Sequence, residues 1–291
     1  MKASTHLRRR LALTALAVAA ALLAITAATF AWYVYHTAAR TTRVKMVAGS
    51  STSIQIAAAE AGPYSSAAVM QSFTGVLTPV STDKISGGFQ KAERFSSQVD
   101  ASGQAGRVVA DLFGPGVETV DYYKISLYLR TNGQTLDIYL SDIGFEDSDP
   151  DNPISTAMRL GIVADGRETI FAVSTDRNPN AGDNAASEPE GGYVLDSGKT
   201  DGSTLPFTPY TRENFCRYNQ ETGEVALNEG SVPLCSVSGD GQGGYGEPVK
   251  LDIYLWLEGC DADCTQNLSG QTMKKLALSF AGYAGKTEGG Q

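Results

Sequence analysis

Apolar and polar residues alternate in short runs along most of this chain, and turn residues separate the runs. A period of two marks a strand with one buried face. The clearest case spans residues 122–141, where two alternating runs flank Asn132-Gly133, a pair that tolerates positive φ and signals a tight hairpin. A two-residue turn there sets Leu129 opposite Leu136, Leu127 opposite Ile138 and Ile125 opposite Leu140. The reverse face then pairs Tyr128 with Asp137, Ser126 with Tyr139 and Lys124 with Ser141. A second hairpin is predicted at Asp165-Gly166, with Met158, Leu160 and Ile162 sharing a face with Thr169, Phe171 and Val173. In Val249–Leu257 the odd positions are apolar, while Lys250, Asp252, Tyr254 and Trp256 point the other way. A last strand near Met273–Tyr283 puts Leu276, Leu278 and Phe280 on one side, and weaker strands are expected at 45–48 and 53–57.

No long amphipathic helix pattern accompanies these strands, so their apolar faces must bury on another sheet. The predicted fold is all-β, an antiparallel β-sandwich of jelly-roll type over residues 44–284, preceded by one N-terminal transmembrane or signal helix. Residues 176–204 read as a long surface loop, 239–246 as a flexible glycine-rich segment and 285–291 as a flexible tail. Residues 60–120 are ambiguous, with one short helix expected around 64–72.

The N-terminus follows a different pattern. Arg8, Arg9 and Arg10, in a basic segment over 1–10, precede an uncharged apolar stretch over 11–35. As a helix, that stretch exceeds the ~30 Å of a bilayer core. The arginines hold its start in the cytoplasm and place the remainder outside. Trp32, Tyr33 and Tyr35 fall where an interfacial aromatic belt belongs. The same stretch also has the length and small residues of a signal peptide cleaved near Ala31, giving a secreted form. Both readings export the bulk of the chain.

Charge agrees with export. Six of the 23 basic residues and none of the 32 acids precede Val44, which leaves the rest at −15. Such a balance opposes nucleic-acid binding. The only histidines are His6 and His36, so the exported part has no imidazole for a zinc site or for a Ser-His or Cys-His pair. No enzyme is expected. Cys216, Cys235, Cys260 and Cys264 form an even set in an exported region and read as disulfides, Cys216–Cys235 and Cys260–Cys264 by proximity, although spacing leaves three connectivities open.

Two stretches resemble a known family. Thr29-Phe30-Ala31-Trp32-Tyr33, closing the apolar run, resembles the signal end of TasA/camelysin-like surface proteins of Gram-positive bacteria, followed as there by strands like 44–56. Residues 254–264, Tyr-Leu-Trp-Leu-Glu-Gly-Cys-Asp-Ala-Asp-Cys, are similar to a stretch in related exported proteins. The resemblance covers roughly a third of the chain. It implies a surface β-sandwich that polymerises by donating an N-terminal strand to a neighbour's sheet. Metalloprotease activity, linked to camelysin-like members, lacks its H-E-x-x-H motif here.

The remaining candidate chemistry is sparse. Asp147, Asp149 and Asp151 offer alternate carboxylates that could hold calcium, though not as an EF-hand, and Asp261 with Asp263 is a weaker pair. Tyr122, Tyr128 and Tyr139 share one expected face, and Tyr254 with Trp256 another, suited to stacking on sugars, to anchoring a partner, or to burial under a covering loop or strand. Asn267-Leu268-Ser269 matches a glycosylation triplet. The expected function is a cell-surface structural or assembly protein, a biofilm-matrix component reached by strand addition. Its expected partners are the membrane, other copies and cell-wall or matrix carbohydrate, with no cofactor other than calcium. An extracellular module binding carbohydrate or calcium is the alternative.

Overall fold

A computed structural model describes residues 42–48, 54–70, 77–82, 84–99, 105–176, 178–180, 193–196, 204–207, 209–219, 221–261, 263–264, 266–268 and 270–284. The anchor or signal helix over 11–35, Arg8, Arg9, Arg10, Trp32, Tyr33, Tyr35 and the tail over 285–291 lie outside these residues. No helix among the described residues is long and apolar enough to cross a membrane.

The described chain is all-β, its only helices being single 3-10 turns. In order the strands are β1 (Thr42–Ala48), β2 (Ile54–Ala57), β3 (Ala67–Met70), β4 (Val80–Ser81), β5 (Gln90–Val99), β6 (Ala105–Pro115), β7 (Tyr122–Thr131), β8 (Leu136–Asp147) and β9 (Met158–Ala164). They continue as β10 (Arg167–Ala172), β11 (Tyr193–Asp196), β12 (Thr204–Phe207), β13 (Arg217–Tyr218), β14 (Val225–Ala226), β15 (Pro233–Val237), β16 (Val249–Leu257) and β17 (Met273–Tyr283). Sheet I runs β15-β8-β17-β1-β3 and sheet II runs β10-β9-β16-β7-β2. Smaller sheets join β4-β5-β6, β11-β12 and β13-β14.

One core lies between the two large sheets. Leu136, Ile138, Leu140, Leu276, Leu278 and Phe280 from sheet I meet Leu127, Leu129, Leu160, Ile162, Leu251, Ile253 and Leu255 from sheet II in a single buried cluster. Each such side chain stabilises the fold by about 1.5–3 kcal/mol on leaving water. The alternation read from Val249–Leu257 and Met273–Tyr283 therefore assigned the buried faces correctly. The Asp165-Gly166 hairpin also forms, with φ of 49° and 70° at its two turn residues and Phe171 paired to Leu160.

The Asn132-Gly133 hairpin does not form. β7 pairs with β16 and β2, so that Leu127 lies beside Leu251 and Leu129 beside Val249 and Ile56. β8 pairs with β17 and β15, so that Leu140 lies beside Phe280 and Ile138 beside Cys235. The chain arches from sheet II to sheet I, and the two apolar faces meet across the core instead of side by side. Complementary alternation is satisfied by either geometry, because both bury the same residues. Neither Asn132 nor Gly133 has a positive φ.

The segment over 239–246 latches this arch. Gly239 N–H donates to Gly133 O at 3.0 Å and Gly246 N–H to Thr131 O at 3.1 Å. Asp240 Oδ1 accepts from the backbone of Gln242 and Gly244, both at 2.8 Å. The glycines permit close approach: a Cβ on Gly239 would lie 2.6 Å from Gly133 O, and one on Gly246 would lie 2.0 Å from Ser238 O. A segment expected to be a flexible spacer is a fitted clasp.

Two further expectations change. Around 64–72 the chain is extended, not helical: Ser65 exchanges two backbone hydrogen bonds with Ile56 and β3 follows, while residues 71–72 lie outside the described set. Within the loop expected over 176–204, Tyr193–Asp196 pairs with a strand beginning at Thr204. Most of the rest of that loop lies outside the described residues.

Gly246→Ala must displace the Ser238 carbonyl or break the bond to Thr131, and is expected to destabilise the protein by about 1–3 kcal/mol. Urea unfolding measures this; unchanged stability would show that the clasp does not hold the arch.

Candidate functional site

Sheet I contains the feature with the most direct functional bearing. β1, which follows the apolar N-terminal stretch, lies parallel to β17 from Thr42↔Leu276 to Ala48↔Gly282, and antiparallel to β3 from Thr42↔Met70 to Lys45↔Ala67. Both sides of β1 are hydrogen-bonded, so without it β17 and β3 would expose a slot of unpaired N–H and C=O groups. β3 is the sheet edge beyond it, with Val69 exposed at 69%. Residues 61–82 carry no charge, so this edge lacks the charged side chains that usually block strand addition.

At the end of β16 lies a buried polar knot, formed by the 254–264 stretch. Trp256 Nε1 donates to Glu258 Oε2 at 2.9 Å, and Cys260 N–H donates to Glu258 Oε1 at 3.0 Å. The Glu258 backbone N–H bonds Ala157 O, and the Gly259 N–H bonds Val80 O. Asp261 accepts from Arg159 Nη2 and, through Oδ1, from the Asp263 N–H at 2.9 Å. Asp263 in turn accepts from Asn178 N–H at 3.1 Å. Arg159, Glu258, Asp261 and Asp263 are all buried. Burial is the largest influence on Glu258 and raises its pKa, outweighing the hydrogen bonds from Ser81 and Trp256 and the Arg159 charge. Glu258 accepts from indole and backbone donors and Asp261 from guanidinium and backbone donors, and with the Glu258 and Gly259 N–H bonds this holds the 258–264 loop against β9 and β4.

The expected disulfides are absent; Cys216, Cys235, Cys260 and Cys264 are buried free thiols. Cys216 packs with Tyr139 and Ala281 on the outer side of sheet I, whereas Cys235 belongs to the inner core. The β8 backbone thus separates the first expected pair, which shared only sequence proximity. Burial pushes the Cys216 thiol up to about 11 and Cys235 up to about 12, and raises Cys260 and Cys264 as well.

Asp147, Asp149 and Asp151 do not converge. Asp147 accepts from the backbone and hydroxyl of Ser155 at 2.9 and 2.7 Å, holding the 3-10 turn Ile154–Thr156. Asp149 accepts from Asp151 N–H, Asn152 Nδ2 and Gln271 Nε2. The Asn152 hydrogen bond leads the effects that lower its pKa. Asp151 is exposed. No group of three or more His, Cys, Asp or Glu among the described residues could hold a metal ion.

The tyrosines regroup. Because β7 and β16 are neighbours, Tyr122, Tyr128, Tyr254 and Trp256 share the outer face of sheet II, while Tyr139 lies on sheet I. Trp256 is covered by a loop and a strand: Phe89 meets it edge-on at 5.2 Å, and Val80, Ile85 and Ile170 complete the cluster. Phe89 also stacks on Tyr122 at 4.1 Å. The 254–264 stretch drew attention in the sequence, but Arg159 did not, since one arginine in the run Met158–Ala164 reads as solvent-facing.

No protein-family model matches the chain, and no curated protein or solved structure matches it.

A raised Glu258 pKa means that the native state holds this proton more tightly than the unfolded chain. Its contribution is full below the unfolded value of about 4.3 and is lost as pH rises through the native value. Glu258→Gln cannot titrate and turns an amide N–H toward one of two donors. It is expected to cost about 1–3 kcal/mol at about pH 4, with the deficit narrowing toward about pH 8. Urea unfolding across that range reads it; a pH-independent deficit would contradict the assignment.

Proposed function

We propose that this chain is a cell-surface structural protein that assembles by strand addition, its exported part a β-sandwich of jelly-roll type. The observation that carries the reading is β1, held between β17 and β3 and placed directly after the apolar N-terminal stretch. A strand so placed can fill the slot of its own sheet or of a neighbour's, and a neighbour's sheet would gain the same backbone hydrogen bonds. The sandwich reading draws on the single shared core and on successive crossings between sheets, from β7 to β8, β8 to β9 and β16 to β17. Arg8, Arg9 and Arg10 before the uncharged 11–35 stretch favour a single-pass anchor with the C-terminal domain outside, or release after cleavage near Ala31. The TasA/camelysin-like resemblance fits such a surface protein, and we propose no catalytic role.

A second reading is an extracellular carbohydrate-binding module. The half-buried tyrosines on the outer face of sheet II favour it. Calcium gains less support, because Asp147 and Asp149 are engaged by protein donors.

The test compares purified protein beginning at Trp32 with protein beginning at Ser51 by electron microscopy. The longer form is expected to build filaments and the shorter to remain as single molecules that bind a synthetic peptide of residues 42–48. Single molecules in both preparations, with no peptide binding, would rule out assembly through β1.

A further inference from the structure

The outer face of sheet II presents a cation, Arg130, that no carboxylate among the described residues pairs with. Arg130 lies beside Gln55 of β2, and its Nε and Nη2 both donate to Gln55 Oε1, at 3.1 and 2.8 Å. The Arg130 guanidinium carbon lies 3.8 Å from the centre of the Tyr64 ring and 4.3 Å from that of Tyr245. These are cation–π distances. The two rings come from separate, anchored segments. Tyr64 is fixed by the backbone pair between Ser65 and Ile56 and by its own hydroxyl, which donates to Glu60 O at 2.8 Å. Tyr245 rides on the glycine clasp, next to the Gly246–Thr131 bond.

The ring contacts leave the guanidinium edge as the way in. Gln55 engages Nε and Nη2, and Nη1 donates to no described residue. Glu60 and Glu247 stand in the same two segments, yet Arg130 forms no ion pair among the described residues, although the chain carries 32 acids. Asp252 is already engaged by Lys124 and Lys250, at 3.6 and 2.9 Å. Tyr128 lies two residues from Arg130 on the same face of β7, opposite the exposed Lys250. An arginine held flat with an open N–H edge is prearranged for a planar, two-oxygen anion. Tyr64, Tyr128 and Tyr245 are half-buried, and their exposed parts offer flat apolar surface beside it for a sugar ring joined to that anion.

We propose that Arg130, flanked by Tyr64 and Tyr245, binds the carboxylate of an acidic polysaccharide, with the uronate sugar ring packing on Tyr64, Tyr128 and Tyr245. The carboxylate takes the guanidinium edge that Gln55 does not occupy. This site is independent of β1 and stands or falls apart from strand assembly.

Isothermal titration calorimetry of the full-length protein in non-ionic detergent tests it. The probes are trigalacturonate, the matching neutral galactose trimer and polyglutamate. Trigalacturonate is expected to bind, with the other two roughly tenfold weaker or worse. Arg130→Lys keeps the charge but loses the fork, and is expected to weaken trigalacturonate by at least about tenfold. If that variant no longer melts as wild type does, Gln55→Leu, which frees the guanidinium from its fixed orientation, is expected to show the same direction of loss. No binding of trigalacturonate, equal binding of the neutral trimer or polyglutamate, or wild-type affinity in a folded variant would each overturn the assignment.

Discussion

Sheet I depends on backbone pairing along both sides of one N-terminal strand. The register of β1 with β17 covers seven positions, and its other side pairs with β3. Removing it would strip partners from the end of β17 that carries Leu276, Leu278 and Phe280, three core side chains, and would detach β3 from the sheet. Unpaired backbone groups beside an apolar interior cost more than the pairing itself contributes. A strand in this slot therefore stabilises the sheet, while nothing in backbone hydrogen bonding requires that it come from the same copy. That freedom links the architecture to the proposed assembly.

The rest of the molecule keeps its loops in place with polar devices on the outer faces. The glycine clasp holds the arch between β7 and β8. The Glu258 and Arg159–Asp261 knot ties the loop after β16 to β9 and β4. The Arg130 stack fastens the turn after β2 to the clasp. Each places charged or hydrogen-bonding groups where apolar packing cannot reach, and each is set by close geometry instead of bulk burial. In the first two, Asp240, Glu258 and Asp261 accept from donors of the same chain. The Arg130 stack leaves a donor edge open, and this separates a structural fastening from a candidate binding site.

The buried faces were legible in the sequence because alternation depends only on which residues meet water. Leu251, Ile253 and Leu255, or Leu276 and Leu278, could not be placed otherwise. Pairing was less legible. Leu129 and Leu136 bury the same surface whether they lie side by side or across a core, so the Asn132-Gly133 turn signal favoured a hairpin that the arch replaces. Proximity in sequence also misled for Cys216 and Cys235, which occupy opposite sides of β8. The Arg130 site was invisible for a different reason: Gln55, Tyr64, Arg130 and Tyr245 come from four segments, and only the sheet order brings them together. Asp147 and Asp149 stand at the alternate spacing that calcium loops use, and the same spacing serves carboxylates that accept from turn donors, as these two do.

Strand donation is tested most directly by trapping β1 where it pairs. Lys45 and Ser279 are backbone partners in the β1–β17 register. In a Lys45→Cys, Ser279→Cys variant of the full chain, mild oxidation should join the two new thiols, within one chain in single molecules and between chains in assembled material. If both thiols stay open to alkylation in the folded protein, β1 does not occupy that slot and the proposed assembly route is wrong.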